Sequence, residues 1–268
     1  MSNHIHIVLS VNKSAALSWS LDTVLRQWHK IHRGTLLTQR YLKGEVLSDI
    51  EIKAVKETAD IYRKRLFDIS WFMRDLNEHI ARKANEEDEC TGRFWEGRFR
   101  SQALLTEKAL LSCMAYVDLN PIRANAAKSL NDSVYTSIYT PLFSASKNKK
   151  THSLIPYKGE KRPKNKKYLN LTLKQYCFLL SDSIAALTNS LPKNSTTSSE
   201  VQNVERVIID TTSPEWLQTI SSFENLFSFA VGNTASMLAF KKRTNRKSCL
   251  LYTSPSPRDR GCSRMPSS

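Results

Sequence analysis

Paired cysteines are missing from this 268-residue chain. Cys90, Cys113, Cys177, Cys249 and Cys262 are odd in number, widely spaced and free of any C-x-x-C pair. That pattern excludes a disulfide framework or a thiolate zinc cluster and suits a reducing compartment. Long apolar runs are missing too. None approaches the roughly 20 residues that span a bilayer, and no signal-peptide layout opens the sequence. A cytoplasmic protein with no membrane partner is therefore expected. Acidic residues are scarce beside basic ones: 25 Asp and Glu against 40 Lys and Arg leave a net charge of +15 and a pI near 9.7. Such an excess points to a polyanionic partner, most simply nucleic acid, with a merely solubilising basic surface as the alternative. The length allows one good-sized core or two small ones.

The chain opens with "MSNHIHIVLS". Ile5 to Val11 are apolar apart from His6 and one serine and largely β-branched, which predicts a strand. In a strand His4 and His6 share one face, roughly 7 Å apart, while Ile5 and Ile7 take the other. Two imidazoles so placed could grip a metal ion given a third ligand, or could be polar residues on the solvent face of an edge strand. Leu21, Val24, Leu25 and Trp28 then repeat at helical spacing up to a stop at Gly34, with His29 and His32 expected on the outer surface. Ser48 and Glu51 form a capping box ahead of Ile52, Val55, Ala59, Tyr62 and Leu66. A second stripe, Ile69, Phe72, Met73, Leu76 and Ile80, reads as core.

Texture changes at "TGRFWEGRFRSQALLT". Phe94, Trp95 and Phe99 alternate with Arg93, Arg98 and Arg100. Guanidinium groups for phosphates and ring faces for unstacked bases are what a nucleic-acid surface needs; a half-buried strand or turn with solvated arginines is the other reading, and Trp95 could equally be core. Next comes "EKALLSCMAYVDLNPIRANAA". Thr106 can cap a helix whose Leu110, Met114 and Val117 face the core. Cys113, Tyr116 and Asn120 fall on another face, and Pro121 limits the helix near Asn120.

Taken together, the histidine pair, "GRFWEGRFRSQALL" and "YVDLNPIRA" resemble the REP-associated tyrosine transposases, members of the single-tyrosine HUH transposases. The resemblance covers about residues 1 to 140 and, more weakly, 168–190 and 205–237. It implies a ferredoxin-like α+β fold: an antiparallel sheet carrying the histidine strand, with the tyrosine helix beside it. It also implies His4, His6 and Asn120 as ligands of a divalent metal, Mg or Mn, and Tyr116 as nucleophile. The implied activity is metal-assisted nicking and rejoining of single-stranded or hairpin DNA, with a homodimer as family precedent. A phenol, with a pKa of about 10, leaves more readily than a sugar hydroxyl, so a phosphotyrosine stores the broken bond for rejoining. Alternatives are a non-catalytic DNA-binding transposase remnant and a rolling-circle replication or relaxase-type nickase.

Relatives carry a strand and helix of roughly sixty residues before the histidine strand, on the scale of a β-α unit, so the first strand and helix of the fold are expected to be missing here. Residues 1–143 are expected to form the catalytic domain, 144–167 a basic linker and 168–248 a helical C-terminal region. There Trp216, Ile220, Phe223 and Phe227 share one helical face. Residues 249–268, rich in Ser, Pro and Arg, read as a disordered, non-native tail. That tail holds three Arg and one Asp, so without it the charge is 15 − 2 = +13, and the basic excess stands.

Overall fold

The computed structural model describes residues 5–139, 157–158, 169–188 and 210–245. Of these, 61% are helical and 3% are in strands. The expected antiparallel ferredoxin-like sheet is therefore not the fold. Among the described residues there is a single sheet of two short parallel strands, β1 (Ala103–Leu104) and β2 (Ala230–Val231). The predicted strand over Ile5–Val11 does not form either. A strand exists through its ladder, and this segment pairs with no strand among the described residues. Ile5, Ile7, Leu9 and Val11 accordingly stay 40–53% exposed. His4 lies outside the described residues, as do most of the expected 144–167 linker and all of the 249–268 tail.

The chain divides into two compact units, one of residues 9–100 and one of residues 1–8 with 101–268. The expected catalytic segment, 1–143, thus spans both.

The 9–100 unit is helical: α1 (Lys13–Ser18), α2 (Leu21–His29), α3 (Leu36–Leu42), α4 (Asp49–Leu66) and α5 (Ile69–Glu87). The capping box at α4 is present. Ser48 Oγ accepts from the Glu51 amide, and the Glu51 carboxylate accepts from the Ser48 amide. Val24, Leu25 and Trp28 of α2 pack against Val55, Ala59 and Tyr62 of α4, as their periodicity predicts. Trp28 stacks on Tyr62 at 4.3 Å and 10°. Arg65 lies 4.1 Å from the centre of the Trp71 ring, and Arg74 4.8 Å from it.

Three expectations change here. The α5 stripe is not core: no residue of α5 is buried, and Phe72 is 47% exposed. The helix meets this core through Trp71, which joins the Trp28 cluster. His29 and His32 are not surface residues but half-buried. The amides of Ile31 and His32 both bond the Trp28 carbonyl, a turn that folds His32 onto Trp28 at 4.1 Å and into contact with Asp75. His29 Nε2 meets Thr38 Oγ1 at 3.0 Å, and burial lowers its pKa.

The second unit is built around α6 (Glu107–Asp118), α7 (Asn120–Arg123), α8 (Leu173–Leu187), α9 (Pro214–Leu226) and α10 (Thr234–Thr244). Thr106 caps α6 by accepting from the Ala109 amide. Leu111, Ala115 and Leu119 join Tyr176, Leu180, Trp216 and Ile220 in the larger core. Ala109 and Tyr116 pack with Phe223 and Val231 in a smaller one. Leu110, Met114 and Val117, expected to face the core, lie at the half-buried edges of these clusters. The helix is buried on two sides, so its innermost residues lie one position further along.

Gly34 tests the turn after α2. It sits at φ +70°, and a Cβ there would run into the His29 ring; Gly44, at φ +78°, faces open space. Gly44→Ala should cost only the left-handed backbone strain, about 1–2 kcal/mol. Gly34→Ala should cost clearly more in urea melts, because it must also displace His29 from Thr38. Equal losses would mean that His29 yields freely.

Candidate active site

Asn120 is the first residue of α7, separated from the end of α6 by Leu119 alone, with Pro121 following as is common at a helix start. Pro121 therefore begins a new turn rather than turning Asn120 away. Asn120 is 7% exposed, and its Nδ2 lies 2.9 Å from His6 Nε2. The other ring nitrogen, Nδ1, is 3.0 Å from Glu224 Oε1. A carboxylate only accepts and an amide nitrogen only donates. These two contacts match the His6 tautomer that donates from Nδ1 to Glu224 and presents the Nε2 lone pair to Asn120.

Tyr116 completes the group. Its ring meets His6 edge-on, with centroids 5.4 Å apart, and lies 5.9 Å from Phe223. The Arg123 guanidinium sits 4.0 Å from the centre of the Tyr116 ring. It also donates to the carbonyls of Tyr116 and Ser221. Tyr116 is 9% exposed, so its ring is held on several sides. Cys113 stands near as well, but it is no candidate nucleophile or thiolate ligand. Burial, and then the charge of Glu224, push its thiol up to about 11.

Of the residues singled out in the sequence, His6, Tyr116 and Asn120 come together, and His4 lies outside the described residues. The four expected DNA-contacting residues all belong to the 9–100 unit. Arg93 is exposed and donates to the carbonyls of Trp95 and Glu96 in its own loop. Trp95 donates its indole N–H to the Asn77 carbonyl of α5 and packs edge-on against Phe94. It is half-buried. Arg98 and Arg100 are exposed.

Glu224 and Arg123 were not singled out. Arg123 lies in the tyrosine motif itself, three residues after Asn120, where its spacing from Tyr116 offers a signal. Glu224 neighbours Phe223 on a face marked by apolar residues, and nothing in a single exposed glutamate distinguishes it.

A divalent metal fits the donor set. His6 Nε2 and the Asn120 amide stand side by side, and an imidazole nitrogen with an amide oxygen are donors that Mg²⁺ or Mn²⁺ would accept. The amide would present Oδ1 instead of Nδ2, a half-turn about its last bond. Among the described residues no three His, Cys, Asp or Glu side chains form a metal cluster; the donors here are an imidazole and an amide, with the Glu224 carboxylate behind the imidazole.

Arg123→Ala should destabilise the unit by about 1–3 kcal/mol, since two carbonyls and a ring face lose their partner together. Arg123→Lys should recover only part, because an ammonium lacks the planar fork. Full recovery by lysine in denaturant melts would reduce the role of Arg123 to charge.

Among the described residues no helix is long and apolar enough to cross a membrane. No family model, curated protein or solved structure matches the chain, so the functional reading rests on its own residues.

Proposed function

We propose that this protein is a DNA strand transferase that nicks and rejoins single-stranded or hairpin DNA through Tyr116. The observation that carries the reading is the meeting of His6 with Asn120, 114 residues apart in sequence, against the ring of Tyr116. The resemblance to the HUH transposases assigns roles to these same three residues independently of where the chain places them. His6 and Asn120, with His4 as implied by the resemblance, would hold Mg²⁺ or Mn²⁺. The ion would polarise the scissile phosphate and offset charge on the leaving oxygen.

The chain's own part is to aim the phenol. Tyr116 Oη attacks phosphorus, the bond from phosphorus to the leaving sugar oxygen breaks, and the phenolic proton is lost as that oxygen gains one. In the reverse step a sugar hydroxyl attacks the phosphotyrosine and the phenol is restored. Arg123 and Phe223 limit the swing of the ring, which keeps the oxygen near a single line of attack.

The test is a covalent adduct between the protein and cleaved single-stranded DNA, run with and without Mn²⁺. Tyr116→Phe should abolish the adduct and leave DNA binding nearly intact, because the ring is kept and the nucleophile removed. An adduct that survives this substitution would place the nucleophile elsewhere. An adduct formed in excess chelator would remove the metal from the reaction. DNA binding by the wild type with no adduct under any condition would leave a DNA-binding protein without strand transfer.

Arg98 and Arg100 supply a separate prediction. If they contact phosphates, affinity for single strands should fall with salt at a slope of about −0.7 per contact, and each replacement should flatten it by about one contact. Arg93→Ala should flatten it less, since part of its exposed guanidinium is already engaged by loop carbonyls. A salt titration on the three variants distinguishes these outcomes.

A further inference from the structure

We infer that Glu224 is a positioning residue that holds His6 ready for the metal; this rests on the reading of the site as metal-assisted. The His6 segment belongs to no strand, so its ring is not aimed by a sheet. Side-chain contacts aim it instead, among them Asn120 on Nε2, Glu224 on Nδ1 and the Tyr116 ring edge-on. Glu224 is well placed for this. It follows Phe223, 1% exposed, on α9, and Phe223 packs beside Tyr116 in the same small core. Its carboxylate is thereby fixed relative to the tyrosine helix, while its side chain, 56% exposed, is not a packing element.

Chemistry gives the contact its purpose. A metal takes an imidazole nitrogen through its lone pair, so the proton must sit on the other nitrogen. Glu224 holds that proton on Nδ1 and leaves Nε2 bare, facing Asn120. A carboxylate behind a ligating histidine fixes the tautomer and the ring orientation and strengthens the ligand, and losing it typically weakens metal affinity 10- to 100-fold. The two carboxylates of α6 itself are spent on different donors, Asp118 on Ser137 and Tyr176 and Glu107 on Asn170. Cys113 remains a thiol. Among these neighbours Glu224 alone can do this.

The experiment measures Mn²⁺ binding to the full chain by electron paramagnetic resonance, for wild type, Glu224→Gln, Glu224→Ala and His6→Ala, and the His6 tautomer in metal-free protein by ¹⁵N magnetic resonance. Wild type should bind Mn²⁺ and carry the His6 proton on Nδ1. Glu224→Ala should weaken binding by about 10- to 100-fold and release the tautomer. Glu224→Gln should lose less, because its amide oxygen still accepts from Nδ1–H. If wild type binds no Mn²⁺ through His6, the metal reading of the site fails as a whole. If wild type and Glu224→Ala bind alike, or the proton sits on Nε2 in metal-free wild type, the inference about Glu224 fails while the site stands. Equal losses in the Gln and Ala variants would make Glu224 a direct ligand through its charge, and would also overturn the positioning role. Unchanged thermal melting in the Glu224 variants, expected for so exposed a side chain, keeps these outcomes apart from misfolding.

Discussion

A buried carboxylate fixes the roll of the tyrosine helix. Asp118, in the last turn of α6, is 1% exposed. Such a group is tolerable only with its lone pairs satisfied. Tyr176 Oη of α8 donates to it at 2.7 Å, Ser137 Oγ at 3.1 Å and the Ile138 amide at 3.4 Å. Burial still pushes its carboxyl upward from the ordinary range, against those hydrogen bonds. The consequence is geometric. With Asp118 turned to α8, the residues two before and two after it lie toward α9 and the His6 segment. Those residues are Tyr116 and Asn120. A rotation of α6 that freed the nucleophile's face would strand the carboxylate, at about 1–3 kcal/mol or more for a charged group.

The same packing explains why α6 has two cores rather than one. Leu111, Ala115 and Leu119 repeat every four residues and close one side against Trp216 and Ile220. Ala109 and Tyr116 close the other against Phe223. Helix α9 serves both, with Trp216 and Ile220 in the larger cluster and Phe223 in the smaller. The apolar face read from the sequence is broken by a kink at Ser222, with Trp216 and Ile220 before it and Phe223 and Glu224 after it.

What could be read from the sequence was local. Caps at Ser48 and Thr106 and the Val24–Leu25–Trp28 stripe depend on side chains within one or two turns, and all are present; the face expected from Trp216 to Phe227 is instead divided by the kink at Ser222, and Phe227 lies past the end of α9. What could not be read was partnership at long range. The Ile5–Val11 segment has strand composition, but composition cannot supply the neighbouring strand that would make it one. The α5 stripe has helical periodicity, which fixes a helix without saying whether anything covers its face. At the site, His6, Tyr116 and Asn120 were legible because each sits in a patterned motif. Glu224 was not, because its meaning comes from a histidine more than two hundred residues away.

Charge shows the same limit in another form. Net charge counts cations, whereas phosphate binding depends on cations left available, and arginine in this chain is heavily committed to internal work. Arg40 bridges Glu45 and Glu51. Arg63 donates to the carbonyls of Ala16 and Trp19. Arg65 and Arg74 lie over Trp71. Arg93 closes its own loop, and Arg123 holds the tyrosine. A guanidinium engaged in this way has already lost much of its hydration and several of its donors. Within the "GRFWEGRFR" segment all three arginines are exposed, but the first donates to the carbonyls of its own loop and the tryptophan to Asn77, so these two build the loop. Interleaved arginines and aromatics thus describe a scaffold and a surface at once, and only the hydrogen-bond partner of each side chain tells them apart.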